Sequence, residues 1–283
     1  MDIRVVVFDL DGTLFDTRAD IVNAVNHGRA ALGLPPLEFD RIVAMVGNGV
    51  EVLAERAFRD STVTPEEAVT RMMSYYTPDT PETAQLYPGV KETLPTIGKT
   101  LTIVSNKPQQ LVEALLEKNQ IRQYFDYVAG GDTFDRLKPD PAAIGFFKQR
   151  YQIEDARQIL VVGDHRPDVQ MAQNAGVASV YCNYGFFGED TAGADYAIDA
   201  FADLPALIRA IEDGTAVKAV RKPPEERAPY REREGRGRQR EGRGHDRGRG
   251  RGEGGRREGR GDRGRREGRG ESRDRRPDGR RPR

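Results

Sequence analysis

The sequence predicts an α/β protein: a parallel sheet covered by helices on both faces, with a block of helices inserted after the first strand. Three observations carry that prediction. Short apolar, β-branched runs at residues 3–8, 101–104, 159–162 and 178–181 have the length and composition of buried strands. Helical patterns at 109–119, 141–151 and 167–175 alternate with them, which implies a parallel sheet with helices on both sides. Polar residues stand at the ends of three of the runs: Asp9, then Ser105 with Asn106, then Asp164 after Gly163. Ligands of open parallel sheets bind at the carboxyl ends of strands, so the three clusters point to one site.

Residues 16–86 break the alternation. Asp16 or Thr17 suits the cap of a helix ending near Gly33. Val50, Leu53, Ala54, Ala57 and Phe58 recur at helical spacing. Thr64, Pro65 and Glu67 make a capping-box start with proline at the first helical position. The expected organisation is therefore a core of residues 1–15 and 87–217, a helical insert of residues 16–86, and a tail of residues 218–283.

The chain has 283 residues and a net charge of zero, which conceals a division. Residues 1–217 hold 32 acidic and 19 basic residues, whereas 218–283 hold 26 basic and 13 acidic. With 24 Arg and 15 Gly among its residues, the tail cannot bury enough apolar surface to offset ordering entropy and is expected to be disordered. Arg-Glu-Gly-Arg-Gly recurs from 233, 240, 257 and 266 at irregular spacing, which is low complexity and not a solenoid repeat. Such a tail can contact phosphate backbones electrostatically. A single aromatic, Tyr230, and the interspersed acids limit this to weak, non-specific RNA binding, and a merely solvated tail stays open.

Other classes are excluded. No run approaches the roughly 18 apolar residues of a membrane span. The apolar start, Val5 to Phe8, is too short for a signal-peptide core. One cysteine, Cys182, precludes an internal disulfide framework and a cysteine-based zinc site. A cytoplasmic location is the expectation.

The strand ends carry the chemistry. In Asp9-Leu10-Asp11-Gly12-Thr13 two carboxylates two residues apart, with Gly12 allowing a tight turn, can face one pocket. One can serve as nucleophile and the other as acid and base, and the pair suits a hard cation such as Mg²⁺. Ser105-Asn106-Lys107-Pro108 precedes a helix and favours phosphate, although simple capping fits it equally well. Lys138-Pro139-Asp140-Pro141 offers a stiffened loop with a cation. Asp164 and Asp168 add two more carboxylates. His165, with no partner defined, is expected to stand behind the site or be exposed.

In this order, the four clusters resemble the haloacid dehalogenase-like hydrolase superfamily over roughly residues 2–212. Asp9–Thr13 matches its first motif, Ser105 the second, Lys138 the third, and Asp164 with Asp168 the fourth. The resemblance implies a Rossmann-like core with an inserted helical cap, and Mg²⁺-dependent phosphoryl transfer through an aspartyl phosphate. It makes Asp9 the nucleophile and Asp11 the acid and base. Asp9, the Asp11 backbone carbonyl and Asp164 would hold Mg²⁺, with Asp168 acting through water. Thr13, Ser105, Asn106 and Lys138 would bind the phosphoryl group of a small phosphorylated metabolite.

Within the superfamily the chain resembles the bacterial phosphoglycolate phosphatase family. Val46-Gly47-Asn48-Gly49-Val50, Asn106-Lys107-Pro108, Gly130-Gly131-Asp132, Lys138-Pro139-Asp140-Pro141 and Tyr184-Gly185-Phe186 look like that family's strings. Gly47 and Gly49, flanking Asn48 before a helix, could present backbone N–H groups to a small carboxylate, although an ordinary Asn/Gly turn fits them too. The chain departs from the pattern at His165, where serine is common. Another sugar phosphate, a nucleotide or pyrophosphate remains an open substrate. Asp11 is absent from the superfamily's dehalogenases. Its phosphonate-cleaving members need a cap lysine, and the first lysine here is Lys91.

Overall fold

The computed structural model of the protein describes residues 2–77, 83–188 and 193–219. Apart from Lys218 and Ala219, the Arg/Gly-rich tail lies outside them. Among the described residues, no helix is long and apolar enough to cross a membrane.

Six parallel strands form one sheet in the order β5-β4-β1-β6-β7-β8. They are β1 (Val5–Phe8), β4 (Thr100–Val104), β5 (Tyr127–Ala129), β6 (Ile159–Gly163), β7 (Ala178–Cys182) and β8 (Tyr196–Ile198). The central strand is β1, with Phe8 in register with Ile103 on one side and Val162 on the other. Alternate residues serve opposite faces. Val6 and Phe8 join the core that includes Leu101, Ile103, Leu160, Val162 and Phe201. Val5 and Val7 join Ala143, Ile144, Phe147, Val161 and Met171 on the other face. Burial on both faces is why these strands read as largely apolar runs without a polar alternate face. The sequence reading omits β5 and β8, each only three residues long.

Helices α5 (Val90–Thr93), α6 (Gln109–Lys118), α7 (Ala142–Arg150), α8 (Arg166–Ala175) and α9 (Leu204–Asp213) complete this layer. Pro108 stands immediately before α6, while the Asp140 carboxylate accepts from the Ala142 N–H at 2.9 Å at the start of α7. Helix α8 begins at Arg166 with Asp168 in its first turn and stops at Gly176, whose φ of +68° lies in the left-handed region.

The chain between β1 and β4 makes a second cluster. A two-stranded antiparallel ribbon pairs β2 (Phe15–Asp16) with β3 (Gln85–Leu86). Between its strands lie α1 (Arg18–Ala30), α2 (Phe39–Val43), α3 (Val50–Ala57) and α4 (Pro65–Met73). Their shared core includes Ile21, Val25, Ile42, Leu53, Phe58 and Met72. Thr64 caps α4 by accepting from the Glu67 N–H at 3.3 Å, with Pro65 in the first turn. Thr17 precedes α1 without capping it by its side chain. Its hydroxyl is spent on the site described next.

Candidate active site

Register sets the site. Phe8 ends β1 in register with Ile103 and Val162, and β4 and β6 each run one residue further, so Asp9, Ser105 and Asp164 emerge at one edge of the sheet. The backbone holds each place: the Asp9 N–H donates to Val162 O at 2.9 Å, and the Ser105 N–H to Ala129 O at 2.9 Å. Gly12 follows with φ +90°, and a Cβ there would overlap the Asp164 carboxylate. The turn after β1 can approach β6 closely only with glycine at that position.

Lys138 is buried at the centre. Its ammonium donates to Asp9 Oδ1 at 2.6 Å and to Asp168 Oδ1 at 2.7 Å. Asp168 is fixed further by the His165 N–H, which donates to its Oδ2 at 3.1 Å. Asp164 is fully buried, accepting from the Phe186 N–H at 2.7 Å and, at 3.5 Å, from the Thr13 hydroxyl. Burial pushes the Asp9 carboxyl up to about 7, with Asp168 adding to the rise and Lys138 opposing it. Burial likewise raises Asp164 well above the usual carboxylate range, reinforced by Asp9 and Asp168. Burial alone would lower Lys138, but the carboxylates of Asp168 and Asp9 reverse that and hold it above its ordinary value.

This donor set fits a hard divalent cation. Asp9, Asp164 and Asp168 each bring a carboxylate oxygen to within 4.8 Å of the others, all three buried. One ammonium faces three carboxylates, so the fully ionised cluster has two negative charges in excess. Buried charges need neutralisation, and oxygen ligands of this kind are what Mg²⁺ takes.

Asp11 is turned away from this cluster. Its carboxylate accepts from the Thr17 hydroxyl at 2.6 Å and from Lys107 Nζ at 3.1 and 3.4 Å. Both Asp9 and Asp11 line a cleft between the sheet edge and α1, α3 and α4, together with Ser105, Asn106, Lys107, Lys138 and Asp168. The opposite wall is largely apolar: Ile21, Ala24, Val50, Leu53 and Met72.

Three residues named in the sequence sit differently from expectation. Thr13 is buried behind Asp164 and does not line the cleft. Asn106 lines it, but its side chain is already engaged: Nδ2 donates to Gly47 O at 2.9 Å and Lys138 O at 3.1 Å, and Oδ1 accepts from the Lys138 N–H at 2.9 Å. It ties the helical insert to the Lys138 loop. Asn48 accepts from both terminal nitrogens of Arg56, at 3.2 and 3.0 Å, in the amide orientation that satisfies both groups. Gly47 and Gly49 do line the cleft. Gly47 has φ +111°, and a Cβ there would overlap the His165 ring. That ring is half-buried and stacks on Phe187 with centroids 4.0 Å apart.

Sequence reasoning missed Lys107, Thr17, Tyr76 and Phe187 as site residues. Lys107 had one usable signal, its place two residues after Ser105. The others come from parts of the chain that only the fold brings to the cleft.

Comparison with known proteins decides the family. The haloacid dehalogenase-like hydrolase family matches residues 6–182. The chain belongs to that family. A phosphoglycolate phosphatase of Vibrio parahaemolyticus is 35% identical over 221 residues, covering 73% of this chain and 96% of that protein. One from Vibrio cholerae is 38% identical over 205 residues, covering 68% and 90%. Among solved structures, a predicted phosphoglycolate phosphatase from Haemophilus somnus superimposes with a TM-score of 0.68 at 29% identity, covering 72% of this chain and 97% of that one.

Proposed function

We propose that the protein is a Mg²⁺-dependent phosphatase that works through an aspartyl phosphate on Asp9 and takes 2-phosphoglycolate as substrate. That the chain is a phosphoric monoester hydrolase follows from its family and from relatives matched over nearly their whole length. The mechanism rests on one observation above the others. Three buried carboxylates, Asp9, Asp164 and Asp168, lie together with one ammonium, that of Lys138, which pairs with Asp9 and Asp168 beside the cleft. The substrate rests on the names of the relatives.

In this reading, Asp9 and Asp164 hold Mg²⁺ directly, with the Asp11 backbone carbonyl, and Asp168 does so through water. When bound, the ion neutralises charge and templates the phosphoryl group. An Asp9 oxygen attacks phosphorus in line, and the bond from phosphorus to the ester oxygen breaks. Asp11 gives its proton to that departing oxygen. It then takes a proton from water, which attacks phosphorus and breaks the bond to Asp9, releasing phosphate. Ser105 and Lys138 bind the phosphoryl oxygens. Alignment and neutralisation are the main needs of such a transfer. Asn106 acts by positioning Lys138, and Thr13 by positioning Asp164. Residues 16–86 are the cap over a core of residues 1–15 and 87–217, with Gly47 and Gly49 on its substrate loop.

The apolar cleft wall favours a second reading, a less polar phosphate ester. The test is Mg²⁺-dependent phosphate release by the full chain, with 2-phosphoglycolate beside sugar phosphates, nucleotides and pyrophosphate, and Asp9→Asn as the blank. Highest kcat/KM for 2-phosphoglycolate, and loss of about 10⁴-fold or more in the variant, are expected. Preference for another ester would discard the substrate. An Asp9→Asn enzyme that folds and turns over at full rate would discard the mechanism.

A further inference from the structure

Lys107 has no part in the chemistry above, yet it is among the most enclosed charges of the cleft. Its side chain is 7% exposed, and its ammonium pairs with Asp11. Burial alone would lower its pKa, but Asp11 and its surroundings hold it above the ordinary value. Among the described residues, Lys107 and Lys138 are the two lysines that line the cleft, and no arginine lines it. Lys138 is committed to Asp9 and Asp168.

A lysine with a side chain 7% exposed, on the cleft wall and paired there with Asp11, is placed to meet whatever enters the cleft. We propose that Lys107 is a specificity-determining residue that binds the carboxylate of the substrate's leaving group. The inference rests on the reading of 2-phosphoglycolate as substrate and assigns the residue that selects it.

In the proposed reaction Asp11 must reach the ester oxygen to protonate it, so a group paired with its carboxylate stands near the leaving-group end of the cleft. In a two-carbon phosphoester the carboxylate oxygens lie about 3 Å from the ester oxygen by standard bond lengths. Lys107 Nζ stands 3.1 Å from Asp11 Oδ1. A cation there is within reach of a carboxylate attached to the carbon that bears the ester oxygen, while Lys138, paired with Asp9, stands at the phosphoryl end. An ammonium has three donors, and Asp11 engages at most two of them. The third is available to the ligand.

The alternative reader is weaker on the same ground. The Asn48 side chain is taken by Arg56, and the glycines beside it bring no charge. Tyr76 lines the same cleft, and its phenol is pushed up to about 12 by burial, with Lys107 and Asp11 in electrostatic reach. It adds a neutral hydroxyl beside Lys107, whose ammonium is paired with Asp11 but, among the described residues, keeps a donor to spare.

The test compares two substrates that differ only in the charged end, 2-phosphoglycolate and 2-hydroxyethyl phosphate. It uses the full chain with saturating Mg²⁺ and the variants Lys107→Met, Lys107→Gln and Lys107→Arg. The readout is the ratio of their kcat/KM values. Wild type is expected to prefer 2-phosphoglycolate. In Lys107→Met the ratio should fall about 100-fold, chiefly through KM, and Lys107→Arg should retain most of it. If Met at this position prevents folding, Lys107→Gln, which keeps length and polarity without charge, should show the same loss. A wild-type preference that survives in a folded variant, with both substrates slowed alike, would leave Lys107 acting on Asp11 alone and overturn the inference while sparing the substrate. Absence of any wild-type preference would overturn the substrate reading and the carboxylate role together.

Discussion

Arg29 in the helical insert and Lys138 beside the sheet are both buried cations, with side chains 1% and 3% exposed, but their partners differ. Arg29 spends its guanidinium on structure. It donates to Pro35 O at 2.7 Å, to Ala57 O at 2.5 Å, and through a bidentate pair to Asp60 at 2.8 Å for both contacts. Its carboxylate partner is 49% exposed, so charge is balanced and half in water. Arg29 thereby holds the ends of α1 and α3 and the loop before α2 in one arrangement. Lys138 faces the opposite situation. It meets two buried carboxylates directly, while a third stands close by without an ammonium hydrogen bond of its own. A buried ion in a balanced, hydrogen-bonded network marks architecture. One in a deficient network marks a place where another charge is meant to arrive.

Substitution at the two positions breaks that comparison open. Lys138→Met should give the largest effect. It leaves Asp9 and Asp168 buried without their cation, at a cost of about 3–5 kcal/mol in denaturant unfolding. It also removes a charged donor from the proposed phosphoryl site, so turnover should fall by about 10³-fold. Arg29→Met should cost about 2–4 kcal/mol, since two carbonyls lose their donor while Asp60 can hydrate. The kcat of the folded fraction at low temperature should stay near wild type. If Arg29→Met slows chemistry as severely as Lys138→Met, or if Lys138→Met unfolds at the wild-type midpoint, the division between architecture and site is wrong.

The sequence is legible where one residue's position follows from its own neighbours. The β1 and β6 runs are apolar because both faces are covered, β4 and β7 are so apart from Thr100, Thr102 and Ser179, and the residue after each run must be the one at the sheet edge. That is how Asp9, Ser105 and Asp164 could be found. Strands of two or three residues, such as β3, β5 and β8, carry too few positions for a period to show. Contacts between remote segments were illegible for a different reason. Lys107 meets Asp11 across 96 residues and Asn106 meets Gly47 across 59. A lysine or an asparagine looks alike in sequence whether it binds ligand, cap or solvent. The Thr17 hydroxyl shows the same limit, since its position predicts a helix cap and the fold gives it to Asp11.

Asp164→Asn sharpens the charge argument most finely, because it should improve the fold while harming the enzyme. Asp164 is fully buried, and burial first, then Asp9 and Asp168, raises its carboxyl above the usual range. Asp9 is raised in the same manner, to about 7. A carboxyl whose folded pKa exceeds its unfolded value of roughly 3.9 binds its proton more tightly in the native chain. These groups therefore favour folding most at low pH, and that contribution is lost as pH rises from about 4 through about 7. With divalent ions chelated, Asp164→Asn should flatten this decline and gain about 1–3 kcal/mol at pH 8. Asn still accepts from the Phe186 N–H, so the local hydrogen bond survives. Added Mg²⁺ should raise the wild-type melting temperature by linkage and move the variant much less. A variant less stable than wild type in chelator at pH 8 would show that the Asp164 charge is already compensated. Equal Mg²⁺ shifts in both proteins would show that the cation is held without Asp164.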